Sequence, residues 1–217
     1  STVPCSTKWM KGTVNSFYIG IIATVIATAL GTLAALGLSR PHMPYKGLIM
    51  AILISPMIVP LIITAAGMFF FYARINLVYT FTGVILAHVA LATPFVVITV
   101  TATLVGFDMN MVKAAQSLGA KPMRTFFKVI MPLILPGIIS GALFAFITSF
   151  DEVVIVMFMA SIDQLTIPKQ MWAGIRQEIS PVILCMATCL VLLSIFLLTT
   201  VELLRRRSEK LRGIKAR

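Results

Sequence analysis

The sequence predicts an all-α polytopic membrane protein, and three observations carry that prediction. Apolar residues fill 59% of the 217 positions and charged residues only 12%, giving a mean hydropathy of +1.01. Several runs of twenty or more residues hold no charged side chain, the length a helix needs to cross a bilayer core of roughly 30 Å. The alternating pattern of a transmembrane barrel strand is absent, and lipid offers no partners to an open backbone, so helices are the remaining way across. Residues 1–217 therefore read as a single transmembrane domain, not the one or two soluble domains that length alone would suggest.

Taken in order, the first span covers about 14–38. It carries small residues every four positions, Ala23, Ala27, Gly31 and Ala35, with Thr24, Thr28 and Thr32 beside them. Such ladders let helix backbones approach closely where packing drives association, so Ala27 and Gly31 are expected to be helix-packing positions. A basic connection with two prolines, 39–46, leads to a second span at 47–72. Pro56 and Pro60 interrupt its hydrogen-bond ladder, which predicts a kink or an opening. Two readings of that interruption stand, a kink tolerated by its neighbours and a break lining a substrate path. Arg74 and Asn76 mark a turn before the third span at 82–105, where Thr93 and Pro94 predict another kink. His88 inside that span reads as an interhelical hydrogen-bonding group or as a ligand or proton relay.

The fourth span, 133–158, repeats the ladder at Gly137, Gly141, Ala145 and Ser149, and Gly137 and Gly141 are its expected packing positions. It then places Asp151 and Glu152 deep enough that they must face protein or water. Residues 159–181 are too polar to span, and Pro168, Trp172 and Arg176 suggest a short interfacial helix. A fifth span at 182–204 precedes a basic tail.

Charge fixes the orientation. Of the 18 Lys and Arg residues, 13 fall in 39–46, in 106–132 and in the tail, so that side is expected to be cytoplasmic. The five spans then leave the N-terminus outside, and a sixth span upstream of Ser1 is the expected complement. The net charge of +11 is accounted for by topology and contact with anionic lipid, and no nucleic-acid partner is expected because no aromatic-interleaved basic face accompanies it. Cys185 and Cys189 lie four apart in an apolar run without the further ligands a metal site needs. They read as small packing residues, and Cys5 stands alone.

The segment 106–132 is where function is expected to be legible. Residues 113–118 favour helix, with Asn110 as a possible N-cap. Gly119 is placed to end that helix in the left-handed conformation, and Pro122 to open a second one at its first turn. Phe126, Phe127 and Ile130 give the second helix an apolar side while Arg124 and Lys128 stay wet. A helix, a glycine corner and a second helix running into a span make a rigid protrusion suited to a soluble partner.

Ala114, Ala115, Gly119, Val129, Met131 and Pro132 lie at the spacing of the EAA loop, Glu-Ala-Ala, three residues, Gly, nine residues, Ile-x-Leu-Pro. The chain thus resembles the MetI-like permease subunits of bacterial ATP-binding-cassette (ABC) importers. The NSF tripeptide at 15–17, the run 23–40, FDMNMVKAAQSLGAKP and SFDEVVIVMF are similar to the spermidine/putrescine-type branch. Lys113 stands where the pattern has glutamate, and Val129 and Met131 replace isoleucine and leucine.

The resemblance implies a type I importer in the bacterial inner membrane. It would comprise two permease subunits forming a heterodimer, an ABC ATPase dimer and a periplasmic substrate-binding protein. It also implies that this chain is not itself an enzyme and binds no cofactor, ATP and magnesium residing on the ATPase. Coupling to that ATPase is carried over to Ala114, Ala115, Ser117, Gly119, Ala120, Lys121 and Pro122. Asp151 and Glu152 would attract a polyamine along the substrate path, or one of them pairs with Arg74 or Arg176 or caps a helix junction. Other implied solutes are 4-aminobutyrate-like amino acids, ferric iron and inorganic anions. A channel or carrier half without an ATPase is the reading from a different class, and it predicts an inverted repeat that the sequence lacks.

Overall fold

Four helices of the computed structural model are long and apolar enough to cross a bilayer: Thr7–Leu38, Phe81–Val105, Pro122–Phe150 and Ile183–Thr200. The structure describes residues 5–40, 43–105, 109–177 and 181–211, and all regular elements among them are helical. Helix α1 covers Cys5–Leu38 and so begins well before the expected 14. Its polar first turns are held from outside, the Gln170 amide donating to the Lys8 carbonyl at 2.9 Å.

The second expected span is two helices. α2 (Lys46–Ile58) and α3 (Leu61–Arg74) meet at 105°, a turn far sharper than a proline kink. Val59 is extended, with ψ 135°, because the residue before a proline is driven out of the helical region, and Pro60 follows it with ψ 129°. Pro56 is accommodated inside α2, so of the two prolines only Pro60 breaks the chain direction. α3 closes with Asn76 at φ 55°, the Leu77 N–H reaching the Tyr72 carbonyl at 2.9 Å and the Asn76 N–H reaching Ala73 at 3.4 Å. This pair of bonds is a Schellman closure with asparagine in the left-handed position.

α4 (Phe81–Val105) runs through Pro94 without interruption and is the central helix. Val84, Val96, Val97 and Val100 are fully enclosed between α1 on one side and the helix that follows on the other. That helix is assembled from three pieces after α5 (Met109–Ser117): α6 (Pro122–Thr125), a π-helical turn (Phe126–Ile130) and α7 (Met131–Phe150). Pro132 has no N–H for the Lys128 carbonyl and its ring would strike it. The chain widens by one residue at this point, and the Met131 N–H reaches back to Phe126. At its far end the fourth crossing stops at Phe150, short of the expected 158. α8 (Val154–Met159), α9 (Ile167–Gln177) and α10 (Pro181–Leu211) complete the chain.

The two small-residue ladders converge on α4. A Cβ added at Gly31 would come within 2.6 Å of the Val96 Cβ, and one at Gly141 within 2.9 Å of the Val96 Cα. Gly137 lies against Thr103 and Gly141 also against Thr99, while Ala23, Ala27 and Ala35 are fully buried. One valine is thus clasped between glycines of two helices, a close approach that a larger residue on either side would prevent. α10 is the contrast, resting on α7 with only 6% of its apolar window buried within the chain. Cys185 and Cys189 are both exposed on it among the described residues.

Candidate functional site

The rod from Pro122 to Phe150 carries a distinct structure at each end. At its start, α5 folds back on α6 and the π turn, with Val112 and Thr125 buried. Asn110 lies inside the first turn of α5 and so is not the N-cap, since the helix already includes Met109. The far end of α5 closes by two backbone bonds. The Ala120 N–H reaches the Ala115 carbonyl at 3.1 Å and the Gly119 N–H reaches Gln116 at 2.9 Å, with Gly119 at φ 79°. These are the two bonds of a Schellman motif, and they place Ala115, Gly119 and Ala120 in one rigid corner.

A Cβ on Gly119 would meet nothing within 4 Å, so the requirement for glycine is conformational and not steric crowding. Ser117 donates its hydroxyl to the Lys113 carbonyl at 3.0 Å, Lys121 is extended with ψ 153°, and Pro122 occupies the first turn of α6. Ala114 is exposed. Leu118 at the apex is 89% exposed, and Met123 and Phe127 on the second helix are exposed beside it. The seven residues assigned to coupling thus lie in one corner, with large apolar side chains standing free around it.

At the other end the chain breaks between Asp151 and Val153, and the two carboxylates part company. Glu152 is buried, and its Oε1 accepts the Ile155 N–H at 2.9 Å. It is the side-chain cap of α8, where a negative charge also meets the positive end of the helix. Lys169 closes the opposite end of α8, its Nζ donating to the Val156 and Ala160 carbonyls, each at 3.0 Å. α9 lies outside the candidate spans, and burial holds the Lys169 ammonium below its ordinary pKa. Ile155, Val156 and Met159 are fully buried between these caps. A six-residue helix is too short to be stable alone, so α8 owes its existence to this clamp and to the core it plugs.

Asp151 is exposed. It borders a groove of about 270 Å³ between α7 and α10, lined by Ile147, Phe150, Val191 and Leu198 among others, with Ser194 as a second polar group. Of the pairings expected for these acids, Arg74 is exposed and contacts neither, and the Arg176 side chain lies outside the described residues. His88 is buried and its Nδ1 shares a hydrogen bond with the Ser149 hydroxyl at 2.8 Å, joining α4 to α7. Among the described residues no cluster of His, Cys, Asp and Glu could hold a metal.

Lys169 was not legible as a functional residue in the sequence, where it is one more cation in a polar loop. Asn15 and Ser16 were also missed as anchors. The Asn15 amide donates to the Asp163 and Leu165 carbonyls at 2.7 and 3.0 Å, and the Ser16 hydroxyl caps α9 by accepting the Ile167 N–H at 2.9 Å. Phe17 stands edge-on to Phe150 at 5.0 Å. All three residues of the NSF tripeptide thus tie α1 to the segment around α8, and the tripeptide itself was the only available signal.

Comparison with known proteins agrees with this architecture. Residues 27–210 match the model of a family described as binding-protein-dependent transport system inner membrane component. The spermidine/putrescine transport system permease protein PotC of Haemophilus influenzae is 29% identical over 200 residues, covering 92% of this chain and 78% of that one. The putrescine transport system permease protein PotI of Escherichia coli K12 is 30% identical over 181 residues, 80% of this chain and 64% of that one. Among solved structures, an inward-facing MetNI methionine ABC transporter chain superimposes over the full length of both chains with a TM-score of 0.70 at 19% identity. A chain of a bacterial ABC transporter involved in the import of the acidic polysaccharide alginate matches 92% of this chain with 75% of its own, with a TM-score of 0.66 at 14% identity.

Proposed function

This chain belongs to the family of binding-protein-dependent transport system inner membrane components, and on that premise we propose that it is a permease subunit of an ATP-driven importer for polyamines. It is a multi-pass membrane protein. The observation that carries the coupling role is the exposed Schellman corner at Gly119, which is continuous with a membrane-crossing rod through α6 and the π turn. A push on that corner is transmitted to the α7–α8 junction without an intervening loop. In this reading the corner and the C-terminus are cytoplasmic, the corner docks on an ABC ATPase that holds ATP and magnesium, and a second permease subunit covers the bare face of α10. A substrate-binding protein delivers the solute at the opposite surface.

The similarity to spermidine and putrescine permeases and the position of Asp151 support the substrate. A polyamine is an ammonium chain with methylene spacers, and Asp151 offers a carboxylate beside a largely apolar groove. Charge attraction is strong where water is scarce. Glu152 is already committed to α8, so Asp151 is the residue of the pair that binds cargo. The test is ATP-driven uptake of labelled spermidine and putrescine by the whole importer in proteoliposomes. Uptake of both is expected, and uptake of 4-aminobutyrate or ferric iron in their place would overturn the substrate.

A further inference from the structure

The corner's surface has a chemistry of its own. Residues 109–130 hold Lys113, Lys121, Arg124 and Lys128 and no acidic residue, the nearest acid in sequence being Asp108. All four cations are exposed, and no ion pair engages them among the described residues. Between them in sequence stand Leu118, 89% exposed, Met123, 69%, and Phe127, 57%, with Met111, 48%, just before them. Leu118 precedes the fixed left-handed Gly119 and Met123 follows the fixed Pro122, so their backbone positions are set before any partner arrives. A rigid apolar ridge flanked by unpaired cations matches one kind of counterpart, an apolar cleft with acidic rims.

We propose that the surface receiving this corner, which rests on the coupling reading above, is an acidic cleft on the ATPase subunit in which Leu118 fills the apolar floor and Lys113 and Lys121 meet carboxylates. Lys113 lies one helical turn before Ser117 and is exposed on α5, and Lys121 lies beyond the glycine corner, so the two cations flank Leu118 in sequence, one before the corner and one after it. Anionic lipid would also attract cations, but it gives no reason for a backbone-locked corner or for apolar side chains placed at its apex.

The polarity matters for partner choice. An ATPase with a basic rim would face like charge at Lys113 and Lys121 and be rejected.

The test titrates the importer's own fluorescently labelled ATPase subunit onto the permease pair in nanodiscs of neutral lipid. Wild type is expected to bind more weakly as salt rises. Lys113→Glu with Lys121→Glu is expected to bind about tenfold more weakly at low salt and to lose most of that salt dependence. Lys113→Gln with Lys121→Gln should fall between, and monodispersity of each variant reports folding. Leu118→Asp serves as the second axis. If Leu118→Asp releases the ATPase while both lysine pairs bind as wild type, the acidic cleft is overturned and coupling stands. If all variants bind as wild type, the coupling reading itself falls. If the lysine variants differ from wild type only in discs containing anionic lipid, the cations serve the membrane, and the proposal is overturned.

Discussion

The two ends of the Pro122–Phe150 rod are stabilised in opposite ways. At the Gly119 corner the bonds are local, none spanning more than five residues and all but that of the Ser117 hydroxyl made by backbone, and the large apolar side chains at the apex are left to solvent. At the α8 junction the bonds are made by side chains, several of them far apart in sequence. Glu152 and Lys169 clamp α8, while Asn15 and Ser16 of α1 hold the segment that follows it. The corner can hold its shape while its surface is given to a partner, and the junction can hold its shape only by committing its polar groups inward. In the proposed coupling role, a rod with one end free to be gripped and the other wedged into the core would convert a force at the first into a displacement at the second. This is what a coupled two-state transition requires.

The sharpest way to break the contrast is to remove the clamp. Glu152→Leu leaves the N-terminus of buried α8 without its acceptor, and Lys169→Met leaves the Ala160 carbonyl at its C-terminus without its donor, the Val156 carbonyl keeping the Ala160 N–H. A buried polar group that loses its partner costs about 1–3 kcal/mol. The thermal midpoint of the detergent-solubilised protein should fall for each, with Glu152→Leu the larger because Glu152 is the more deeply buried. Lys169→Arg should restore most of the loss at its end. Unchanged midpoints in both single variants would mean that α8 is held by packing alone.

The corner should respond differently. Gly119→Val forces a β-branched residue to φ 79°, which costs on the order of 1–2 kcal/mol, and since no side chain crowds the site the damage stays local. The thermal midpoint should move less than in the clamp variants, whereas ATP-driven uptake should drop about tenfold or more as the corner loses its shape. Basal hydrolysis by the ATPase would persist. Ser16→Ala, expected at about 1 kcal/mol for a lost cap, is the milder long-range counterpart. It should lower the midpoint without altering ATPase binding.

The same division decides what could be read from sequence. Gly119, Pro122 and the ladders at Ala27, Gly31, Gly137 and Gly141 are visible because their reasons are local, namely a left-handed φ, a first-turn proline and a four-residue period. The break at Pro60 was signalled, but its 105° angle was not, since proline dictates where a helix ends and not where the next one points. The end of the fourth span at Phe150 was missed because α8 is as apolar as a continued helix would be. What separates the two outcomes is Glu152 folding back onto Ile155 and Lys169 reaching the far end of α8. Lys169 reaches α8 through thirteen and nine residues of sequence separation, and no periodicity announces such a contact.

The smallest stability effect should come from Asp151→Asn, and it is the one that most sharpens the comparison. Asp151 ends α7 through its backbone, the N–H bonding Ile147 at 3.0 Å, and asparagine keeps that bond and the size of the side chain. An exposed, nearly isosteric change of this kind is expected to move stability by no more than about 0.5 kcal/mol. If Asp151 meets the cargo as proposed, uptake of spermidine should nevertheless fall, through a raised KM with maximal rate less affected, because the change removes a charge from the path without altering the rod. Glu152→Gln should give the reverse pattern. Its amide oxygen still accepts from Ile155, so apparent substrate affinity should hold while the midpoint drops with the lost charge at the helix end. If the two variants behaved alike in both measurements, the acidic pair would act as one unit, and the separation of a structural Glu152 from a substrate-facing Asp151 would fail.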